Sequence, residues 1–208
     1  MSYDDPYTYP GTNVLINHFG VRDAERLEHI ERRYVANRLD EGTPSGNFDL
    51  SQLQNIHHHL FQDVYPWAGE IRTVQLAKTN WFLPAERIEM GVADVHRQLQ
   101  NANFLKDTNS AEFAEHAAGI IADINHAHPF REGNGRTQLQ YFKQLAEHAG
   151  HPVNLDMLDR DQWIAASIQS HAHDPMLMRS AIANSLAAPD QGATREPPEQ
   201  NEELTQSW

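Results

Sequence analysis

The chain has 208 residues, a formal net charge of -13 at pH 7 and no cysteine. This length fits one compact domain, the acidity argues against binding nucleic acid through its phosphates, and the lack of cysteine excludes a disulfide framework. No apolar run approaches the roughly 20 residues of a membrane-spanning helix, and the first residues lack the basic and apolar regions of a signal peptide. We therefore expect a cytoplasmic protein without a membrane partner, and export by a non-cleaved signal stays compatible with the sequence.

The first part of the chain contains two helical segments and one segment of different period. Residues 22–39 carry apolar side chains at helical spacing behind Asp23, the expected N-cap, and residues 49–69 repeat the pattern until Gly69 interrupts it. Residues 71–82 change to the alternation and β-branched content of strands. We therefore expect a short hairpin between the second and third helices.

The remainder of the chain is mainly helical by the same criterion. Five further segments have helical periodicity, namely residues 84–102, 110–128, 136–150, 159–172 and 174–188. From Pro189 the chain is polar, acidic and rich in proline, a composition that cannot compensate for the entropy lost on ordering. The predicted architecture is all-α with a short hairpin, with residues 1–188 as the domain and residues 189–208 as a disordered acidic tail.

The stretch HAHPFREGNGRTQ, residues 126–138, places a glycine-rich turn directly before a predicted helix. Free backbone N–H groups at a helix N-terminus favour an anion, and Gly133 and Gly135 allow the backbone to approach it closely. The side chain of Asn134 can donate a hydrogen bond to such an anion, and Arg136 can pair with phosphate oxygens. This part of the stretch therefore predicts a phosphate-binding site.

Two further residues of the stretch add reactive chemistry. Glu132 can hold a Mg²⁺ ion that bridges two phosphates, and His128, with an ordinary pKa near 6.5, can accept a hydroxyl proton. A base, a metal ligand and an anion site together are typical of phosphoryl or nucleotidyl transfer, where positioning and charge neutralisation dominate catalysis.

Structural alternatives accompany each of these assignments. The histidines at positions 57–59 cannot all face one metal ion, because adjacent helical residues point about 100° apart, so we expect structural or surface roles for them. Trp67 and Trp81 are expected to pack rather than to bind a base. Arg136 could instead form an internal salt bridge, and Lys78 could be a solvated turn residue.

The sequence HPFREGNGR, residues 128–136, resembles the signature of the Fic family, His-x-Phe-x-Asp/Glu-Gly-Asn-Gly-Arg-x-x-Arg. Residues 7–21 resemble the N-terminal segment of that family, and residues 59–74 resemble the segment that leads into its flap. The resemblance covers roughly the first 150 residues well and the later helices loosely.

The resemblance implies an all-α Fic-type helical bundle with a β-hairpin flap, and transfer of AMP from ATP to a Ser, Thr or Tyr hydroxyl of another protein. His128 would be the base, Glu132 would hold Mg²⁺, and Phe130 would anchor the loop in the core. Gly133, Asn134, Gly135 and Arg136 would bind the phosphates of ATP.

The flap is implied to dock an extended segment of the target protein by strand addition. The residues implied in this docking are Lys78, Thr79, Asn80, Trp81 and Phe82. Related proteins modify type II topoisomerases or GTPases, so either class is an expected target. The short bacterial Fic toxins, which this chain resembles in length, are restrained by a separate antitoxin with an inhibitory helix, and no match to that helix occurs in this chain.

One position departs from the family signature. The second arginine of the motif falls on Leu139, so a phosphate ligand of the AMP-transferring members is missing. The related Doc toxins also carry leucine there and transfer the γ-phosphate of reversed ATP, but they have lysine where this chain has Gly135. AMP transfer is therefore the favoured prediction, with a Doc-like kinase or a weakened nucleotide-binding or partner-binding module as the alternatives.

Overall fold

The computed structural model describes residues 5–78, 80–172 and 174–186. Within these ranges the chain forms seven α-helices and no sheet, which confirms the all-α prediction. The helices are α1 (Ala24–Asp40), α2 (Leu50–Phe61), α3 (Ile88–Asn101), α4 (Ser110–Ala127), α5 (Asn134–His148), α6 (Arg160–His171) and α7 (Met176–Ser185). Short 3₁₀ turns lie at Ala85–Arg87, Asn103–Leu105 and Leu155–Met157.

The helix starts follow from side chains that accept hydrogen bonds from exposed backbone N–H groups. Asp23 caps α1 as predicted, since its side chain accepts from the Arg26 N–H. Asn109 and Glu112 form a reciprocal capping box at the start of α4. The helix predicted from Pro84 begins as a 3₁₀ turn and becomes α-helical only at Ile88.

Helix α4 is the centre of the bundle and packs against α3, α5, α6 and α7. Its buried face is continuous and includes Phe113, Ala117, Ile121 and Ile124, each of which is 0% exposed. Because α4 is fixed on so many sides, its C-terminal end carries the following residue, His128, to a defined position.

The predicted hairpin is reduced to a tight turn. A single antiparallel bridge joins Ala77 to Trp81, and the Phe82 N–H donates to the Leu76 carbonyl over 3.0 Å. Beyond this point the arms do not form a ladder, and the carbonyls of Val74 and Leu83 accept hydrogen bonds from the buried side chain of Arg72 instead of from backbone N–H groups.

The packing predicted for the two tryptophans has different outcomes. Trp67 is buried and stacks on Tyr65 with ring centroids 4.4 Å apart, as expected, but Trp81 is 70% exposed, so its predicted packing role is wrong. Trp81 lies in the flap turn, where its backbone pairs with Ala77. The predicted tail, residues 189–208, lies outside the described residues. None of the described helices has the length and apolar character needed to cross a membrane.

Candidate functional site

His128 ends helix α4 in a left-handed backbone conformation, with φ 43° and ψ 61°. This conformation is unfavourable for a residue with a Cβ atom and persists where the surroundings fix it. The flap, which here means residues 71–83, supplies that fixation from both of its arms. The Leu83 N–H donates to the His126 carbonyl and the Arg72 N–H donates to the Pro129 carbonyl, each over 2.9 Å.

The side chain of Arg72 is the main link between the flap and this turn. Arg72 is 1% exposed, and its guanidinium group donates to the carbonyls of His128, Val74, Leu83 and Ala127 at 2.7, 2.6, 2.6 and 3.3 Å. Burial lowers its pKa, but arginine stays charged in proteins. No carboxylate pairs with it in the described ranges, so backbone carbonyls alone satisfy this buried cation.

The hydrogen bonds of His128 define its tautomer. Its Nδ1 lies 3.3 Å from the Asn125 carbonyl, which can only accept, so Nδ1 carries the proton and Nε2 keeps its lone pair. Burial, followed by the positive charge of Lys78, lowers the pKa of His128 to about 3. The ring also stacks on Phe82 with centroids 3.8 Å apart. His128 is thus a neutral imidazole with one available basic nitrogen.

We expect this neutral tautomer to persist as the pH falls. A histidine of ordinary pKa would be half protonated near pH 6.5, whereas a pKa of about 3 keeps His128 neutral throughout the interval from pH 8 to pH 5. Imidazole nitrogen NMR of ¹⁵N-labelled protein checks both points. Titration of the His128 ring with a midpoint near pH 6.5, or a proton on Nε2 at neutral pH, would contradict this assignment.

The loop after His128 turns into α5 through Gly133, which has φ 80°. A Cβ atom at this position would lie 2.4 Å from the ring of Phe61, so only glycine fits. No side chain caps α5 and no acidic residue occupies its first turn, which leaves the N–H groups of Asn134, Gly135 and Arg136 directed out of the helix. This end of α5 can therefore accept an anion.

The side chain of Asn134 closes the same loop. Its Oδ1 accepts from the Phe130 N–H over 2.9 Å and its Nδ2 donates to the Phe130 carbonyl over 2.7 Å. Phe130 is fully buried, as the sequence predicted for a core anchor. Asn134 thus holds the loop in shape, and its predicted contact with phosphate stays a prediction.

His57 fixes the backbone of Glu132 from below the loop. Nδ1 of His57 accepts from the Gly69 N–H over 2.8 Å, so its Nε2 donates to the Glu132 carbonyl over 3.0 Å. Burial lowers the pKa of His57 to about 3, so the ring is neutral, and it stacks on Phe130 with centroids 3.9 Å apart. The structural role predicted for this histidine is confirmed.

The two arginines of the motif loop are both paired with carboxylates. Arg131 lies 2.7 Å from Asp5, and Arg136 lies 2.6 Å from Glu31 on α1. Glu31 also accepts a hydrogen bond from the Tyr65 hydroxyl, whose pKa is raised by burial and by the neighbouring Glu31 charge. Arg136 thus forms the internal salt bridge, with Glu31, that was the structural alternative to phosphate binding.

Two small cavities meet at His128. One, of about 180 Å³, is lined by Leu76, Ala77, Lys78, Phe82, His128, Arg131, Glu132, Asn134 and Gly135. The other, of about 110 Å³, lies against α6. The two cavities share four lining residues, which are Lys78, Phe82, His128 and Gly135. A single elongated ligand can therefore occupy both cavities, with its middle part beside His128.

The cavity against α6 contains several buried polar groups that lack partners. The side-chain amide of Gln138, the Nε1 of Trp163 and the Nδ1 of His171 form no hydrogen bond within the described residues. His171 uses its other nitrogen, Nε2, to donate to the Asn80 carbonyl over 3.1 Å. Because buried polar groups are nearly always hydrogen-bonded, these groups beside one cavity call for partners that water or a ligand with donors and acceptors on its edge can supply.

The structure separates the predicted flap residues into different environments. Lys78 and Phe82 line both cavities, and the Asn80 carbonyl accepts from His171. Trp81 is exposed, and Thr79 lies outside the described residues. Docking of a target segment on this turn stays a prediction.

Sequence reasoning missed the residues that support the site through contacts between distant parts of the chain. These are Asp5, Glu31, Arg72, Gln138, Trp163 and His171. Only Gln138 carried a local signal, since it lies two residues after the motif arginine and would share a helix face with the anion site.

Residues 47–146 match the model of the Fic/DOC family. The protein named "Probable protein adenylyltransferase y4lH" of Sinorhizobium fredii is 38% identical over 173 residues, which are 82% of this chain and 90% of that protein. The chain belongs to the Fic/DOC family. The "Protein adenylyltransferase VbhT" of Bartonella schoenbuchensis is 37% identical over 187 residues, 88% of this chain and 39% of that longer protein.

A solved Fic/DOC structure has the same fold. The BepC protein of Bartonella tribocorum, with bound AMPPNP, aligns with a TM-score of 0.79 at 26% identity, over 88% of this chain and 97% of that chain. The resemblance stated from the motif is confirmed, and so is the enzyme class at the level of the family, since these relatives are named protein adenylyltransferases.

Proposed function

We propose that this Fic/DOC chain transfers AMP from ATP to a hydroxyl side chain of another protein. The observation that carries the proposal is the position of His128 between a cavity with unpartnered polar groups and the free N-terminus of α5. ATP has a matching layout, with a base at one end, phosphates at the other and the α-phosphate between them. The names of the relatives support the same reaction.

The cavity against α6 holds the adenine ring in this proposal. An amide side chain such as that of Gln138 can pair with the N6 and N7 edge of adenine, while Trp163 can donate and His171 can accept. The phosphates then run through the shared part of the two cavities toward the α5 N-terminus. In this orientation the α-phosphate, which is nearest to the ribose, lies beside His128.

The N-terminus of α5 receives the phosphate oxygens. The backbone N–H groups of Asn134, Gly135 and Arg136 and the helix dipole stabilise negative charge there, and Gly133 keeps the approach open. The Arg136 side chain adds positive charge at the same end, although Glu31 offsets part of it.

Glu132 fits the role of a Mg²⁺ ligand. Its side chain is 49% exposed and lines the cavity beside His128, and only its Oε1 is engaged, by the Gly133 N–H at 2.9 Å and by Arg136 at 3.7 Å. Mg²⁺ is commonly bound through one or two carboxylates together with substrate phosphates and water, so one carboxylate at this place is sufficient. A bound Mg²⁺ would neutralise phosphate charge during transfer.

The reaction step uses the free lone pair of His128. Nε2 takes the proton of the target hydroxyl as its oxygen forms a bond to the α-phosphorus, and the bond between that phosphorus and the bridging oxygen to the β-phosphate breaks. Pyrophosphate leaves and AMP stays on the target as a phosphodiester. The Asn125 carbonyl stabilises the imidazolium through Nδ1–H.

The nature of the adduct tests the proposal directly. We expect mass spectrometry of target proteins incubated with the chain, ATP and Mg²⁺ to show an added AMP. An added phosphate would instead support the Doc-like reaction, for which Leu139 is the specific observation, because this residue packs against the core and provides no charge. The same reaction with ATP labelled at the γ-phosphate serves as a control, since its label is retained only on a phosphorylated product.

The identity of the target and the regulation of the chain follow from the same family arguments. Type II topoisomerase subunits and GTPases are the proposed targets, docked along the flap, and a separate antitoxin with an inhibitory helix is the proposed regulator. A lysate treated with the chain and an alkyne-tagged ATP analogue identifies the modified proteins, and an antitoxin would reduce that labelling when co-purified.

A further inference from the structure

A nucleoside triphosphate brings several negative charges to a site where most nearby cations are already paired. The Arg131 guanidinium contacts Asp5 at 2.7 and 2.8 Å, and that of Arg136 contacts Glu31 at 2.6 Å. The Glu31 side chain is only 11% exposed, whereas that of Arg136 is 36% exposed, so the carboxylate of this pair is shielded more than the guanidinium. Both arginines are thus largely neutralised before any ligand arrives.

Two other positions near the loop add no available charge. Arg72 is buried and directs its N–H groups at backbone carbonyls, and it lines neither cavity. Leu139 is apolar and packs against the core. Unpaired positive charge that faces a bound nucleotide must therefore come from another residue.

Lys78 differs from all of these residues. It lines both cavities that meet at His128, and no carboxylate pairs with it in the part of the chain that the structure describes. Its charge is close enough to the imidazole to lower the pKa of His128, second only to burial. An unpaired cation at the junction of the two cavities is positioned for the ligand that passes through them.

We propose that the Lys78 ammonium group binds the phosphate chain of the nucleotide at the point where the two cavities meet. This inference rests on the proposed function and names the flap, rather than the motif alone, as the source of the neutralising charge. One wall of the phosphate site is then the α5 N-terminus and the other is the flap turn. Lys78 consequently belongs to nucleotide binding and not to the docking of the target segment.

Calorimetric titration of ATP and of adenosine, both with Mg²⁺, tests this assignment without any target protein. Lys78→Met is expected to weaken ATP binding about 10-fold or more, on the scale of a charge-assisted hydrogen bond, and to leave adenosine binding unchanged. Lys78→Arg is expected to retain most of the affinity, because it keeps the charge. The salt dependence of ATP binding is expected to weaken in Lys78→Met.

Lys106→Met is the matched control, since it removes an exposed lysine that lines neither cavity. Equal ATP affinity in the wild type and Lys78→Met, or an equal loss in Lys106→Met, overturns the inference. A Lys78→Met chain that binds ATP normally but modifies its target poorly overturns it too and leaves AMP transfer standing. A wild-type chain that binds ATP through Lys78 but forms no AMP adduct overturns the proposed function alone.

Discussion

Replacing His128 with alanine is expected to reduce AMP transfer by about 10²- to 10⁴-fold, the usual contribution of a positioned general base. The reason is that Nε2 of His128 holds the available lone pair at the junction of the two cavities. ATP affinity is expected to stay nearly unchanged, because the α5 N-terminus and the cavity against α6 are intact. Transfer rates and calorimetric ATP titrations on the same samples measure the two effects.

Two companion variants make this test specific. His128→Asn keeps a polar residue that tolerates the left-handed backbone, so it separates loss of the base from strain at this turn, and we expect it to be equally inactive. His116→Ala removes an exposed histidine of the same helix and is expected to be fully active. Near wild-type transfer by His128→Ala would show that another group accepts the proton.

Gly133→Ala is expected to destabilise the protein by about 3 kcal/mol, as the sum of a left-handed alanine and an overpacked contact. The added Cβ would lie 2.4 Å from the ring of Phe61, and that ring is 0% exposed and has no free space into which to move. For a chain of this size the melting temperature should fall by roughly 6–12 °C. Transfer should be lost as well, because the displaced loop carries the N-terminus of α5.

The neighbouring glycine provides a control two residues away. A Cβ at Gly135 meets nothing within 4 Å, and this residue lies in the first turn of α5 without a positive φ. Gly135→Ala is therefore expected to leave the melting temperature unchanged or slightly higher, through its better helix propensity. Since Gly135 lines both cavities, any defect should be confined to ATP binding. Equal melting temperatures for Gly133→Ala and Gly135→Ala would contradict the packing argument.

The helices and the motif could be predicted from the sequence because their causes are local. Apolar spacing and an N-cap aspartate define α1, and the position of Gly133 before α5 follows from the turn that the motif requires. The predicted burial of Phe130 is also confirmed, and it could be predicted because this residue is the large apolar side chain within an otherwise polar loop.

The partners of the site residues could not be predicted because they come from distant parts of the chain. Asp5 lies 126 residues from Arg131 in sequence, and Glu31 lies 105 residues from Arg136. That both arginines are already paired with carboxylates is decided by the packing of α1 and of the N-terminal segment, and a motif contains no information on either.

The flap was predicted as a hairpin from its alternating pattern, and its actual shape depends on one side chain outside that pattern. An arginine among alternating residues normally indicates an exposed position. Arg72 is instead buried, and it takes the carbonyls of Val74 and Leu83 that a ladder would have used. The exposure of Trp81 likewise depends on the shape of the turn, which leaves this side chain uncovered although its neighbour Asn80 is bonded to His171.

The buried guanidinium of Arg72 fixes the base of the flap and leaves the exposed side chain of Trp81 outside that constraint. Its base is joined to the same carbonyls that position His128, so any displacement there would strand a charge among unsatisfied backbone groups. The exposed side chain of Trp81 bears no such constraint, although its neighbours Asn80 and Phe82 contact His171 and His128. Under the proposed docking of the target along the flap, substitutions of Trp81 would change the choice of target and leave the carbonyls that position His128 bonded to Arg72, so that partner recognition could evolve separately from catalysis.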